Sequence, residues 1–230
     1  MRQGWLGTRV TPTPDTAHNL VANIRHLSLL GINQFIIGMS SGVEWSDQTM
    51  DMYRQQWEEL ADFYIFERNR KTPIKIYQFS DSWDTKVEIN RYNWGCSGGR
   101  NQIAISAIGD IYPCARFLTL TDPHSGERGP YKLGNLDEGM TNHRCHDELG
   151  VSFGSCRIRC INCEFADACS GTCPANNYKE NQSIFDCSGY LCEENKILLD
   201  LIRRRPELCT VGGGEWVEQG VVDSLHIENI

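Results

Sequence analysis

The first 95 residues alternate short β-prone runs with helical stripes. Thr8–Thr11 is β-prone and stops at Pro12. In TPDTAHNLVANIRHLSLLG, residues Leu20, Ile24 and Leu27 share one helical face with Val21 beside them, which predicts a helix capped by Thr13 or Asp15 and stopped by Gly31. Ile32–Gly38 holds the continuous apolar run Phe35, Ile36, Ile37, as in a strand buried in a parallel sheet. Ser46 can cap a second helix, whose stripe is Met50, Tyr53, Trp57, Leu60, Ala61 and Tyr64. Ile74–Phe79 returns as a strand. Helices crossing between strands in this rhythm predict a parallel α/β sheet. About three strands are too few for a (β/α) barrel or an open sheet, so this half reads as a piece of something larger. Its Met and aromatic positions read as core packing.

From Cys96 the pattern changes. Ile103, Ile105 and Ile108 lead into Gly109–Asp110 and then Ile111 and Tyr112, a tight-hairpin signal with Gly at the turn. Cys96 lies just before this hairpin and Cys114 at its far end. Residues 121–130, TDPHSGERGP, are polar and rich in turn formers. Residues 141–180 show little periodicity, as expected where metal rather than a hydrophobic core organises the chain. A last helix, near Glu193–Arg205, presents Ile197, Leu198, Leu201 and Ile202 inward and stops at Pro206. Arg203, Arg204 and Arg205 suit the negative end of its dipole. Asp110 and Asp137 read as turn residues, and His143 and His146 as a solvated pair.

The chain of 230 residues is 40% hydrophobic and 23% charged, enough to bury a core without cross-links. Its net charge of −8 argues against a nucleic-acid partner, whose phosphates call for clustered Lys and Arg. No apolar run approaches the roughly 18–20 residues that span a bilayer, and MRQGWLGTRVTPTPD has no apolar signal region. The expected location is cytoplasmic.

Cysteine changes the picture. All 11 cysteines lie after residue 95: ten between Cys96 and Cys192, and the last at Cys209. An odd count with no export signal, in a reducing compartment, points to thiolate ligands for metal rather than disulfides. The first group is Cys96, twelve residues, Gly109, four residues, Cys114; the second is Cys160-x2-Cys163-x5-Cys169-x3-Cys173, followed by Cys192. Iron–sulfur clusters need several converging thiolates, and tight loops let one segment supply three. Four-cysteine sites also suit tetrahedral zinc.

These seven cysteines in this order resemble the SPASM domain that follows the barrel in many radical S-adenosylmethionine (SAM) enzymes, which modify peptides and proteins. Gly109-Asp110-Ile111-Tyr112-Pro113-Cys114 and Lys132-Leu133-Gly134-Asn135 also look like SPASM sequence. Arg9-Val10-Thr11-Pro12-Thr13-Pro14 and the helix after it look like the last strands of a radical SAM barrel. The resemblance implies an α/β chain made of the C-terminal fragment of a (β/α)6 partial TIM barrel at 1–90 and a cysteine-rich SPASM domain at 91–205, with hairpin, loops and C-terminal helix, then a tail at 206–230. It implies two auxiliary 4Fe–4S clusters, one on Cys96, Cys114 and Cys173 and one on Cys160, Cys163, Cys169 and Cys192. The first cluster's fourth ligand stays open among Cys145, Cys156, Cys187 and substrate. Cys209 and Cys145 stand apart from the motif and read as free thiols.

Two departures matter. The related anaerobic sulfatase maturases carry a further cysteine six residues after the first, where this chain has Gln102. They also carry an Asp directly after the Cys114 equivalent as the proposed base, where Ala115 cannot accept a proton. A radical SAM enzyme further needs CxxxCxxC early in its barrel, yet residues 1–95 hold no cysteine. The literal match Cys156-x3-Cys160-x2-Cys163 lies after the barrel-like part, has Asn162 instead of an aromatic, and shares two cysteines with the SPASM group. The expectation is therefore the C-terminal portion of a longer or split enzyme, inactive alone. SAM and a third cluster would belong to the complete enzyme only. Its partners would be a peptide or protein substrate, an electron donor such as ferredoxin or flavodoxin, and the missing N-terminal barrel portion. The competing readings are a stand-alone, non-enzymatic iron–sulfur carrier or recruitment module, and a structural zinc module.

Overall fold

The computed structural model describes residues 6–67, 73–80, 87, 96–120, 131–150 and 160–209. They fall in two compact units, one of Met1–Thr85 with Lys196–Ile230 and the other of Lys86–Asn195.

In the first unit, β1 (Gly7–Val10), β2 (Gln34–Ile37) and β3 (Lys75–Ile76) form a parallel sheet in the order β1-β2-β3, with Thr8 opposite Phe35 and Phe35 opposite Ile76. Two helices make the crossovers: α1 (Leu20–Leu29), entered through a 3-10 turn at Ala17–Asn19, and α2 (Asp47–Glu67). Gly31, at a φ of 95° that side-chain-bearing residues avoid, ends α1 as expected. Ser46 caps α2, its Oγ accepting the Thr49 N–H at 3.2 Å. Phe35, Ile37 and Ile76 point to the helices and are buried with Leu20, Ile24, Tyr53, Trp57 and Leu60. Trp57 meets Phe79 edge-on at 5.7 Å, which fixes α2 on the turn after β3.

Two expectations are corrected here. Ile36 alternates to the opposite face and is 43% exposed, so the 35–37 run is not covered on both sides. The strand expected at Ile74–Phe79 is short, because Tyr77–Phe79 turns into a 3-10 helix.

The last helix, α6 (Gly189–Arg204), starts four residues earlier than its periodicity indicated. Its second half belongs to the first unit. There Arg204 pairs with Glu58, Arg205 reaches Asp62 at 2.8 Å, and Leu201, Ile202 and Leu208 are buried. The basic triplet thus has specific partners as well as a favourable dipole.

The second unit contains an antiparallel sheet, β4 (Ala104–Ile105), β5 (Asp110–Tyr112), β6 (Gly134–Asn135) and β7 (Gly139–Met140), in sequential order. Ile105 pairs with Ile111 across the expected hairpin, and Gly109 takes a φ of 83° at its turn. Asp110 is a buried strand residue rather than a turn residue. It is paired with Lys132 and accepts the Asn135 amide at 2.9 Å. Asp137 does lie in the turn between β6 and β7. Helices α3 (Ala115–Thr119), α4 (His143–Gly150) and α5 (Pro174–Asn181) complete the unit, so the 141–180 stretch is more regular than its sequence pattern indicated. Tyr112, Phe117, Leu149, Ala175 and Ile184 form its core. The 121–130 loop, Cys156 and most of the tail lie outside the described residues.

Candidate metal centres

Every cysteine of the two sequence groups is half-buried and lies within the second unit. Cys96 opens a tight loop. Its Sγ accepts the Gly98 N–H at 3.4 Å, and Arg100 reaches its carbonyl. The Gly99 N–H donates to the Pro113 carbonyl at 3.0 Å, which ties this loop to the residue preceding Cys114. A Cβ at position 98 would lie in ordinary contact with the Cys96 sulfur at 3.4 Å and the Pro113 carbonyl at 3.5 Å, which places Gly98 between the two cysteine segments.

Cys114 leaves β5 in an extended conformation and caps α3, while Cys173 caps α5, with Pro174 at the first helical position. Both cysteines pack against the Tyr112–Phe117 core. Arg116 Nη1 donates to Asn176 Oδ1 at 2.7 Å, joining the two helices one turn beyond their cysteines. Burial pushes the Cys96 thiol above its ordinary pKa, and the negative charges that Cys173 and Cys114 would carry push it further. The fold thus ties the Cys96 loop to the strand that ends at Cys114, and sets Cys114 and Cys173 against one core.

The second group is built on consecutive turns. The Cys163 N–H donates to the Cys160 carbonyl at 3.0 Å, the Ala166 N–H to the Cys163 carbonyl at 3.0 Å, and the Cys169 N–H to the Phe165 carbonyl at 2.9 Å. Phe165 and Ala168 are buried beneath these turns. Cys169 Sγ accepts the Gly171 N–H at 3.3 Å and the Asn195 amide at 3.5 Å. Cys192 lies in the first turn of α6, its N–H donating to the Ser188 carbonyl at 2.9 Å.

Of the other cysteines, Cys145 sits on α4, where its sulfur accepts the Asn142 amide at 3.0 Å. Burial, followed by the Glu148 carboxylate, raises its pKa. Cys187 is half-buried, with its carbonyl near the Asn181 amide, and Cys209 ends the 3-10 turn at Pro206–Leu208. Cys156, and with it the literal CxxxCxxC match, lies outside the described residues.

Among the described residues no three Cys, His, Asp or Glu side chains are gathered closely enough to hold a single metal ion. A 4Fe–4S cubane takes its thiolates at separate corners. The donor set fits such a cluster. It consists of soft sulfurs, and N–H groups aimed at Cys96 and Cys169 can offset thiolate charge.

The sequence reading missed Arg116, Asn176 and Asn195. A local signal was available for the N–H···S turns, because Cys-Ser-Gly occurs at 96–98 and 169–171, and again at 187–189.

No family model matches the chain. An uncharacterized protein of Archaeoglobus fulgidus is 32% identical over 113 residues, covering 47% of this chain and 26% of that protein. A serine-type anaerobic sulfatase-maturating enzyme of Bacteroides thetaiotaomicron is 31% identical over 90 residues, 37% of this chain and 20% of the enzyme. The solved structure of anSMEcpe with bound AdoMet aligns with 96% of this chain and 58% of its own, at a TM-score of 0.60 and 15% identity. The chain is a distant relative of the anaerobic sulfatase-maturating enzymes, radical SAM/SPASM maturases. It spans 58% of that solved chain and only 26% and 20% of the two curated relatives' length. The aligned fold is α/β, a parallel sheet plus an antiparallel one; among the described residues it does not extend to a barrel. No described helix is long and apolar enough to cross a membrane.

Proposed function

We propose that this chain is the cluster-carrying C-terminal portion of a radical SAM enzyme that modifies a peptide or protein. Its first 90 residues correspond to the last strands and helices of the partial barrel, residues 91–205 to the SPASM domain and 206–230 to a tail. Cys96, Cys114 and Cys173 hold one 4Fe–4S cluster; Cys160, Cys163, Cys169 and Cys192 hold the other. The observation that carries this reading is that the Cys96 loop is hydrogen-bonded to the residue before Cys114, while Cys114 and Cys173 border one and the same core. The distant relation to the sulfatase-maturating enzymes supports it.

Bound clusters would supply one-electron transfer or a coordination position beside the substrate. The protein's own part is to present the sulfurs and set their charge balance. Gly98 and Gly171 donate N–H groups to Cys96 and Cys169, and the Arg100 charge favours the Cys96 thiolate. Ala115 provides no base at the position where the maturases carry Asp, which argues against sulfatase maturation as the activity. SAM binding and the third cluster belong to the complete enzyme, with the preceding barrel strands, a ferredoxin- or flavodoxin-type donor and a reducing cytoplasm. The chain alone is expected to leave SAM uncleaved.

The test is iron, sulfide and zinc per chain on anaerobically purified protein, with the visible spectrum. About eight iron with matching sulfide and a broad brown absorbance support two 4Fe–4S clusters. A colourless zinc protein that refuses iron and sulfide on reconstitution overturns the reading. Two clusters with no effect on any SAM-dependent partner would favour the stand-alone electron carrier instead.

A further inference from the structure

The amide of Asn195 stands between two parts of the second cysteine group. Its Nδ2 lies 3.5 Å from Cys169 Sγ and 3.1 Å from the Gly171 carbonyl, and the two hydrogens of the amide can serve both acceptors. Asn195 follows Cys192 by three residues within α6, a spacing that puts both side chains on one helical face. Gly171, held at a φ of 78°, also turns its own N–H onto the same Cys169 sulfur at 3.3 Å. The Cys169 sulfur therefore receives two N–H groups, one from its own turn and one from the helix that carries Cys192.

We infer that Asn195 is a positioning residue for the second cluster, resting on the reading that Cys160, Cys163, Cys169 and Cys192 ligate it. It has two roles. By gripping the Cys169–Gly171 turn it sets Cys192 beside Cys169. By donating to the sulfur it withdraws charge from a thiolate ligand, which favours the reduced cluster.

Both roles can be read in the reconstituted full-length chain. EPR-monitored redox titration and the rate of iron loss to a chelator are compared for wild type, Asn195→Ala and Asn195→Asp. The Asp variant keeps the side chain's shape, removes both donated hydrogens and sets a carboxylate against the sulfur. Its shift in potential should therefore be at least that of the Ala variant, which removes the donors without adding charge. The expected result is full initial iron in both variants, with one of two clusters about tenfold harder to reduce, a shift of about 59 mV to more negative potential for a one-electron couple. That same cluster should lose iron to chelator about tenfold faster. Wild-type potential and wild-type chelator rate in cluster-bearing variants overturn the role of Asn195 and leave the ligand assignment standing. Wild-type protein that takes up no iron and sulfide overturns the cluster reading, and the inference with it.

Discussion

Arg116 and Asn176 are sixty residues apart in sequence, yet the guanidinium donates to the side-chain carbonyl at 2.7 Å. Each lies two or three positions past a cysteine, Cys114 and Cys173, so this one bond sets the spacing between two helix starts that carry candidate ligands. Asn176 is almost wholly buried, and its oxygen would be left without this charged donor if Arg116 were removed. Arg116→Ala is expected to cost about 1.5–3 kcal/mol, the range for hydrogen bonds to charged groups. Denaturant unfolding of the two single variants and the double variant checks it. Full additivity in that cycle would show that the two residues are not coupled.

Ligand assignment is separable by iron count. Cys114→Ser or Cys173→Ser should lower iron from about eight to about four per chain, as should Cys163→Ser, each removing one cluster. Cys209→Ser should leave the count unchanged. Iron that stays at the wild-type level in the Cys114 and Cys173 variants would remove those residues from the ligand set.

In the metal-free chain, burial and then the charges of Cys173 and Cys114 hold the Cys96 thiol above its ordinary pKa. A raised pKa means that the folded state holds its proton longer than the unfolded state does. The associated stability is thus complete below the unfolded value and falls as pH rises from there toward the folded value. Metal-free protein is expected to unfold more easily at alkaline pH above the ordinary thiol pKa, and Cys173→Ser should weaken that pH dependence. Alkylation of Cys96 followed by mass spectrometry, at stepped pH, reads the same shift directly. Alkylation at the pH of an ordinary exposed thiol would contradict it.

Lys132 and Asp110 form a largely buried pair, with side-chain exposures of 16% and 6%. Asp110 also accepts the Asn135 amide. Lys132→Met leaves the carboxylate without its cation. The expected loss approaches the roughly 3–5 kcal/mol seen when one member of a buried pair is removed. A melting temperature within a degree of wild type would show that the pair contributes little.

Gly134 faces the neighbouring strand so closely that a Cβ would fall 1.9 Å from the Gly139 carbonyl oxygen. The obstacle is backbone, so no rotamer change relieves it. Gly134→Ala is expected to destabilise the β6–β7 hairpin by about 3 kcal/mol or more, beyond ordinary overpacking. Circular dichroism melts will show the loss; a normal melt would mean that β6 and β7 can separate without consequence.

Much of the local structure was legible in residue order. The 3.6-residue stripe of Tyr53, Trp57, Leu60 and Tyr64 is the buried face of α2, Gly31 ends α1, and Gly109 turns the hairpin. Such features depend on neighbours a few positions away, so period and turn chemistry are enough to reveal them. The spacing of the seven cysteines likewise identified both candidate groups before any coordinates. Residues whose partners are distant behaved otherwise. Asp110 looked like a turn residue because Gly109–Asp110 is a common turn pair, and only the return of Lys132 and Asn135 made it a buried ion partner. Ile36 read as buried on its composition, while the sheet leaves its face open.

Sequence by itself therefore determined the alternating strand–helix start, the hairpin, and which cysteines are available as ligands, since these follow from local periodicity and spacing. Tertiary structure decided which sulfurs approach one another and which donors face them. The Gly99–Pro113 hydrogen bond ties the Cys96 loop to the strand before Cys114, and the Arg116–Asn176 bond joins the helices that Cys114 and Cys173 begin, each closing a loop of many residues. Closing such loops costs entropy that grows only slowly with their length. Physically, little therefore favours one distant partner over another until the packed core selects it.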